Sequence, residues 1–186
     1  TEEGYVVTVA SIKGGKVPID PRSLPEDQSP LSVKGPLAAL QHTQRLMEVD
    51  VTEFDAVYFP GGHGAMFDFP HSHETAELVA HYLEQGKVVA AVCHGPAALT
   101  QAKDRNGTPV VKGRELTAFS NEEETEVKLD ALMPFLLEDK LRSLGAKVRV
   151  APKWQDHVVV DGILITGQNP QSSRTIAEAV IKALTG

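Results

Sequence analysis

An almost unbroken apolar run at residues 87–92 (KVVAAV) is the feature that most constrains how this chain can fold. Such a run is typical of a central strand that is buried on both faces of a parallel sheet. It ends abruptly at residues 93–96 (CHGP), and a helix is predicted to follow at residues 97–102, with the proline in its first turn. The sequence therefore predicts a buried strand that turns sharply into a helix.

Strand-like and helix-like segments alternate along the rest of the chain. Further strands are predicted at residues 5–11, 54–59, 110–111, 116–119, 146–151 and 157–165, the last with a tight turn at 161–162. Further helices are predicted at residues 37–47, 74–85, 129–144 and 171–184. Residues 18–36 hold five prolines and are predicted to form a long ordered surface loop. The alternation predicts a three-layer α/β/α sandwich, with a mostly parallel, doubly wound, flavodoxin-like sheet, in one domain over residues 1–186.

The composition excludes several classes of protein. With 186 residues, 41% of them hydrophobic and 23% charged, the chain can bury a full core and is not wholly disordered. No apolar run approaches the roughly 18 residues of a membrane-spanning helix, so no membrane partner is expected. The formal net charge of -7 argues against nucleic-acid binding, which needs a basic surface.

The sequence holds a single cysteine, Cys93, so no internal disulfide can form. A lone cysteine is more often a small buried hydrophobic residue than a reactive one. Here, however, it stands where a buried strand turns into a helix, which is the arrangement of a nucleophile elbow. The helix N-terminus is expected to favour the thiolate. A reactive unpaired thiol is typical of a reducing compartment, so the sequence predicts a cytoplasmic protein.

Two neighbouring features complete a possible catalytic centre. His94 follows the cysteine directly, and at an irregular turn its imidazole can curl back to the sulfur and act as an acid or base. The turn at residues 60–64 (PGGHG) ends the preceding strand. The backbone N–H groups of Gly62 and His94 are therefore predicted to converge as an oxyanion hole. The alternative is that the glycine pair simply makes a turn.

Three weaker features carry alternatives. His71 and His73, together with His63 and Glu74, have only a loose metal-ligand spacing, and no metal is expected. Residues 122–124 (EEE) first indicate a capped helix start, although one of these acids could orient His94. Residues 168–170 (QNP) indicate a turn and helix cap at a sheet end.

Residues 90–97 (AAVCHGPA), with residues 59–64 (FPGGHG) before them, resemble the ThiJ/PfpI superfamily, whose fold is glutamine amidotransferase-like. Other segments narrow the resemblance to the heat-shock chaperone and glyoxalase III branch of that superfamily. These segments are residues 10–21, 119–124, 134–139 and 166–170. The resemblance covers practically the whole chain.

The resemblance implies roles for individual residues. Cys93 matches the nucleophile, His94 its histidine partner, and Glu124 the acid that orients the histidine, with Glu123 as the second choice. Gly62 and His94 match the backbone donors of the oxyanion hole. Further candidates for the substrate pocket are Gly61, His63, Glu123 and Asn169.

The implied activity is the conversion of methylglyoxal and other 2-oxoaldehydes to lactate, without glutathione, metal or any other cofactor. The cysteine would attack the aldehyde to give a hemithioacetal, a proton would move from C1 to C2, and hydrolysis of the thioester would release lactate. The family also implies alternatives: a redox-sensitive holdase chaperone with unfolded-protein clients, or a protein deglycase. Amidase or peptidase action is a weaker alternative, because nothing in the sequence encodes a peptide-binding cleft. A homodimer is expected.

One departure from the family concerns its first strand–helix unit, which carries a further glutamate close to the cysteine. Residues 1–11 match the family only from the end of that helix and the second strand. Glu2 and Glu3 therefore fall at the wrong place to supply this glutamate. We expect the given sequence to lack the family's first strand and helix.

Overall fold

A computed structural model of the protein describes residues 3–24, 26 and 35–186. The chain divides into two compact units, Thr1–Val51 and Thr52–Gly186. The prediction of one domain over residues 1–186 is not tested by this division and stays a prediction. Among the described residues, no helix is both long and apolar enough to cross a bilayer.

The smaller unit contains two short parallel strands, β1 (Ala10–Ser11) and β2 (Gln44–Arg45). Only the last two residues of the strand predicted at 5–11 form a strand. The helix predicted at residues 37–47 is instead a 3-10 helix at Gly35–Gln41, followed by β2. Thr43 explains this difference, because its backbone N–H and its hydroxyl both donate to the carbonyl of Gly15. Of the loop predicted at 18–36, residues 25 and 27–34 lie outside the described part.

The larger unit contains the remaining strands and all the α-helices of the described residues. Its strands are β3 (Ala56–Phe59), β4 (Val88–Val92), β5 (Glu115–Leu116), β6 (Lys147–Val148), β7 (Val158–Asp161) and β8 (Leu164–Gly167). Its helices are α1 (Ala65–Asp68), α2 (His73–Glu84), α3 (Asn121–Glu126), α4 (Leu137–Ser143) and α5 (Ser173–Thr185). The main sheet has the order β3-β4-β8-β7, and a separate parallel pair joins β5 to β6.

Strand β4 lies at the centre of the main sheet and is buried along its whole length. It runs parallel to β3 and β8, whereas β7 and β8 form an antiparallel hairpin. Val88, Ala90 and Val92 pack in one cluster with Ile176 of α5. Val89 points to the opposite face and is also fully buried, and α2 packs against β4 as well. Both faces of the sheet are therefore covered, and the predicted α/β fold class is confirmed.

Most of the strong sequence signals coincide with observed elements. The segments predicted at 54–59, 74–85, 87–92 and 171–184 correspond to β3, α2, β4 and α5. The hairpin at residues 157–165 is present as β7 and β8, joined at the predicted turn.

Other predictions were too long or of the wrong type. The helix predicted at 129–144 is interrupted at Pro134, which lacks an N–H, and only α4 is α-helical. The segment at 97–102 is a 3-10 helix at Gly95–Leu99. Residues 110–111 form a turn, and the strand predicted at 116–119 stops at Leu116. It stops there because the N–H of Thr117 donates to the hydroxyl of Thr166 and not to a strand carbonyl.

Candidate active site

Cys93 stands immediately after β4, in a backbone conformation that non-glycine residues rarely adopt. Its φ angle is 59°, in the left-handed region. Two hydrogen bonds hold this conformation: the N–H of Cys93 donates to Gly167 (2.9 Å), and the N–H of Phe119 donates to the Cys93 carbonyl (2.9 Å). The ends of three segments therefore fix the strained turn that presents the sulfur.

Two glycines allow β3 and the cysteine turn to approach each other closely. A Cβ on Gly95 would lie 2.2 Å from the carbonyl oxygen of Phe59, and a Cβ on Gly61 would lie 2.7 Å from the Cβ of Cys93. Neither distance is compatible with a side chain. Both glycines are thus required by packing, and Gly61, which the sequence analysis names as a substrate-pocket candidate, borders the cysteine.

A continuous chain of polar contacts links the thiol to a carboxylate. The Nδ1 atom of His94 lies 3.3 Å from the Cys93 sulfur, and its Nε2 atom lies 2.6 Å from Oε2 of Glu124. An ionised carboxylate only accepts hydrogen bonds, so Nε2 carries the imidazole proton. Nδ1 is then left with a lone pair directed at the thiol. The structure brings together Cys93, His94 and Glu124, which are the three residues that the family resemblance names as its first choices.

A second imidazole contacts the same carboxylate. The Nε2 atom of His63 lies 2.8 Å from Oε1 of Glu124, so each oxygen of the carboxylate accepts from one histidine. The two imidazole rings are 4.2 Å apart between centroids. The side chain of His63 is 32% exposed, whereas that of His94 is 1% exposed. His63 therefore connects this buried cluster to solvent. The sequence analysis names His63 as a substrate-pocket candidate but does not foresee its contact with Glu124.

The thiol of Cys93 is protonated at neutral pH, which corrects the predicted thiolate. Its pKa is raised to about 12, chiefly by burial and to a smaller extent by the negative charges of Glu123 and Glu124. The hydrogen bonds from the backbone N–H groups of Gly62 and His94 lower it but do not compensate for burial. The expected helix N-terminus is only a short 3-10 helix. A neutral thiol that donates to the imidazole fits the tautomer assigned above.

The same two N–H groups, those of Gly62 and His94, are the backbone donors that lower the pKa of the Cys93 thiol. Gly62 has a φ angle of 107°, in the region that glycine adopts without strain. Gly62 and His94 are the residues whose N–H groups the sequence predicts as an oxyanion hole, and this role stays a prediction.

Burial and hydrogen bonding have opposing effects on the pKa values of His94 and Glu124. Burial lowers the pKa of His94, and the hydrogen bond to Glu124 only partly offsets this effect. Burial raises the pKa of Glu124, but hydrogen bonds from His94 and His63 outweigh it, so that the pKa lies below its usual value. A neutral imidazole beside an ionised carboxylate is the pair that can take a proton from the thiol.

Glu123 belongs to a separate buried network and does not contact His94. Its Oε2 accepts from the N–H and hydroxyl of Ser120, which completes a capping box at α3. Its Oε1 accepts from the backbone N–H of Trp154 and from Nδ2 of Asn169. The second choice for the orienting acid therefore supports the helix that carries Glu124.

Asn169 was predicted to line the substrate pocket, but it is fully buried. Besides Glu123, its amide donates to the carbonyl of Gln155 and accepts from the hydroxyl of Ser172. All its polar atoms are thus engaged within the protein. Asn169 and Glu123 are both fully buried and are hydrogen-bonded to each other, and their role in a substrate pocket stays a prediction.

Aromatic side chains pack beside the imidazoles, which the sequence did not indicate. The ring of Phe119 lies 4.5 Å from that of His94, and Trp154 packs on Phe119 at 5.7 Å. Trp154 has a φ angle of 63° and is held there by its bond to Glu123. The long sequence separation explains why no local pattern pointed to these contacts.

One group of side chains in the described part of the chain could hold a metal ion. It consists of His63, His94 and Glu124, whose ligand atoms all lie within 4.8 Å of one another. The loose histidine cluster considered from sequence is not formed, because His73 pairs with Glu77 on the exposed face of α2. His63 is the one member of that cluster that lies at the site.

The fold, the strained cysteine and its histidine and glutamate partners define a class of α/β protein with a cysteine centre. Comparison of the sequence with known families gives the same answer, because the DJ-1/PfpI family matches residues 1–183. The chain therefore belongs to the DJ-1/PfpI family, and the resemblance to the ThiJ/PfpI superfamily is confirmed.

Two individual members of the family are similar to this chain in sequence. It is 34% identical over 144 residues to the glutathione-independent glyoxalase HSP31 of Saccharomyces cerevisiae, covering 74% of this chain and 60% of that protein. It is 28% identical over 196 residues to the protein/nucleic acid deglycase HchA of Pseudomonas aeruginosa, covering 97% of this chain and 67% of that protein. The chain thus spans about three fifths of the length of the first of these relatives.

Solved structures share the fold. The X-ray structure of the Francisella tularensis Rapid Encystment Protein 24 KDa matches with a TM-score of 0.88 and 39% identity, covering 95% of this chain and 80% of that one. This agreement supports the α/β architecture described above.

Proposed function

We propose that this protein converts methylglyoxal and related 2-oxoaldehydes to 2-hydroxy acids without glutathione, through a hemithioacetal on Cys93. The observation that carries the proposal is the 3.3 Å contact between the Cys93 sulfur and Nδ1 of His94, continued by the 2.6 Å contact to Glu124. The similarity to a glutathione-independent glyoxalase supports the same reaction class. Small reactive aldehydes are then the substrates.

The first step forms a carbon–sulfur bond. Nδ1 of His94 takes the proton of the neutral thiol while the sulfur attacks the aldehyde carbon, C1, of the substrate. Glu124 accepts from Nε2 and stabilises the imidazolium that results. The N–H groups of Gly62 and His94 donate to the new oxyanion, which then takes the proton back from Nδ1. The product is a neutral hemithioacetal.

The second step moves hydrogen from C1 to C2. Nδ1 of His94 is again neutral and lies beside the sulfur to which C1 is bonded, so it can remove the C1 proton. Transfer of this proton to the oxygen on C2 gives an enediol. Loss of the C1 hydroxyl proton and return of a proton to C2 then give the thioester of the 2-hydroxy acid. Water then cleaves the thioester, which releases lactate from methylglyoxal and restores the thiol. Overall, one aldehyde and one water give one hydroxy acid.

The test is lactate formation from methylglyoxal by the purified protein in buffer free of glutathione. We expect steady turnover by the wild-type protein and none above background by Cys93→Ser. His73→Ala is the matched control, because His73 is an exposed histidine on α2, paired with Glu77. Equal rates in the wild-type protein and Cys93→Ser would overturn the proposal.

A deglycase activity is the second candidate, and the similarity to HchA favours it. Both candidates use the same cysteine centre but differ in the bond that is attacked. An N-acetylarginine adduct of methylglyoxal distinguishes them. A deglycase releases lactate from the adduct faster than the adduct dissociates on its own, whereas a glyoxalase cannot exceed that dissociation rate.

The other expectations from sequence stay predictions. These are the holdase activity towards unfolded-protein clients, amide or peptide hydrolysis, the homodimer and the cytoplasmic location. The substrate-contacting roles of Gly61 and His63 are part of the present proposal, because both lie at the sulfur or at its carboxylate partner.

A further inference from the structure

The carboxylate of Glu124 lies between two imidazoles in an arrangement that also suits a metal ion. Oε1 faces Nε2 of His63 at 2.8 Å, and Oε2 faces Nε2 of His94 at 2.6 Å. Two imidazole nitrogens and one carboxylate oxygen are the protein ligands found in one common type of zinc site, where a water or substrate takes the fourth position. The geometry points to a binding site for a divalent ion of the zinc class at His63, His94 and Glu124.

The distances fit such an ion after a small movement. Ligand atoms about 2.0–2.2 Å from a tetrahedral zinc ion are roughly 3.2–3.5 Å apart. The two hydrogen-bonded separations therefore have to widen by about 0.5–0.9 Å. The side chain of His63 can supply this movement by rotation, because it is 32% exposed whereas that of His94 is 1% exposed. Its side chain is also the exposed member of the group, which gives the ion a route of entry.

The ligand charges suit a dication. Glu124 supplies one negative charge that is 5% exposed, and His94 is 1% exposed, so most of the site is already dehydrated. Each histidine would coordinate through Nε2, and its proton would move to Nδ1, so no proton needs to leave the site. The fourth coordination position would hold a water.

Binding of the ion would block the cysteine reaction, a consequence that rests on the proposed function. With the proton on Nδ1, His94 becomes a donor to the sulfur 3.3 Å away and can no longer accept the thiol proton. Glu124 would be bound to the ion and could no longer orient the imidazole. The site would thus act as a reversible inhibitory switch for zinc-class ions.

The binding test uses Co²⁺ as a spectroscopic substitute for zinc, in a Cys93→Ala chain so that no thiolate can contribute. We expect saturable visible absorption with one Co²⁺ per chain. His63→Ala and Glu124→Gln should each weaken binding by at least about tenfold, because each removes one of three protein ligands. His73→Ala, which removes an exposed histidine, is the matched control and should bind as before.

Two results would overturn the site: unchanged Co²⁺ affinity in His63→Ala, or no saturable binding up to on the order of 1 mM Co²⁺. Should His63→Ala or Glu124→Gln fail to fold, as judged by circular dichroism, ¹¹³Cd coupling to the ¹⁵N-labelled imidazoles in the Cys93→Ala chain decides instead. Coupling to Nε2 of two histidines supports the site, and its absence overturns it.

A separate experiment tests whether the metal ion inhibits the cysteine reaction. In the wild-type protein, Zn²⁺ should stop lactate formation, and a chelator should restore it. Cobalt binding by Cys93→Ala without any lactate formation by the wild-type protein would leave the metal site standing and defeat the proposed function. Lactate formation by the wild-type protein without cobalt binding by Cys93→Ala would support the proposed function and overturn the metal site.

Discussion

Nδ1 of His94 lies 3.3 Å from the sulfur of Cys93, although the two residues are adjacent in the chain. On a regular helix, adjacent side chains point about 100° apart and do not meet. The left-handed conformation of Cys93 turns its side chain back towards the imidazole. The strain at this one residue therefore creates the nucleophile–base pair on which the proposed chemistry depends.

Replacement of Glu124 by glutamine should slow the chemical step and leave the fold largely intact. A glutamine side chain has one acceptor oxygen, whereas Glu124 accepts from both His63 and His94. Its amide N–H₂ group would then face an imidazole N–H, which forces the wrong tautomer. We expect kcat for methylglyoxal to fall by about 10²–10⁴. Steady-state kinetics of lactate formation measure this loss.

Glu122→Gln is the matched control for that substitution. Glu122 lies two residues away on the same helix, and its side chain is 66% exposed. Its kinetics should match those of the wild-type protein. Unaltered kcat in Glu124→Gln would show that the histidine does not depend on this carboxylate.

Gly95→Ala should destabilise the protein severely. The added Cβ would lie 2.2 Å from the carbonyl oxygen of Phe59, so β3 and the cysteine turn would have to separate. We expect a loss of more than about 3 kcal/mol in the free energy of unfolding, because the obstacle is backbone. Urea denaturation followed by circular dichroism checks this value.

Gly64→Ala provides the comparison. Gly64 has a φ angle of -55° and no atom within 4 Å of a Cβ position. Its substitution should change stability by no more than about 1 kcal/mol and in the stabilising direction. Comparable losses in the two variants would contradict the packing argument.

Alkylation of Cys93 should be slow in the folded protein and should accelerate with pH. The thiolate is the reactive form, and the pKa of about 12 keeps the thiol protonated at neutral pH. Since the raised pKa delays ionisation, the iodoacetamide rate should rise about tenfold per pH unit between pH 7 and 10. At pH 8 it should be at least about tenfold below the rate in urea. A rate plateau near neutral pH would reveal a preformed thiolate.

Glu123→Gln should loosen the segment that carries Trp154. Each oxygen of Glu123 accepts two hydrogen bonds, from Ser120 on one side and from Trp154 and Asn169 on the other. In either orientation of the glutamine side chain, its N–H₂ group would face hydrogen-bond donors, which would then lack an acceptor. We expect this to lower the free energy of unfolding by about 1–3 kcal/mol. Thermal unfolding should begin earlier, and the fluorescence of the single tryptophan should report the movement. An unchanged emission maximum together with unchanged stability would contradict this role.

Local sequence patterns predicted the elements that hold the site, and for a physical reason. The apolar run at residues 87–92 can only be satisfied by burial on both faces, so a central strand was predictable. Two turns, at residues 60–64 and 93–96, each contain glycine and follow a predicted strand. This pattern also indicated that the two strand ends approach each other closely. The ends of short strands were less predictable, because they depend on hydrogen bonds to distant segments. The strand predicted at 116–119, for example, ends where the N–H of Thr117 donates to the hydroxyl of Thr166.

The sequence by itself determined the class of fold, the strand-to-helix turn at Cys93 and the histidine beside it. The residue pattern alone did not decide which glutamate faces His94, and only the tertiary structure shows that the adjacent Glu123 and Glu124 belong to different networks. It also placed His63 on the second carboxylate oxygen, 61 residues away in the chain. Burial, which no local pattern specifies, left the thiol protonated where the sequence had favoured a thiolate. Periodicity and turn chemistry are local properties, whereas desolvation and carboxylate pairing arise only when distant segments pack together.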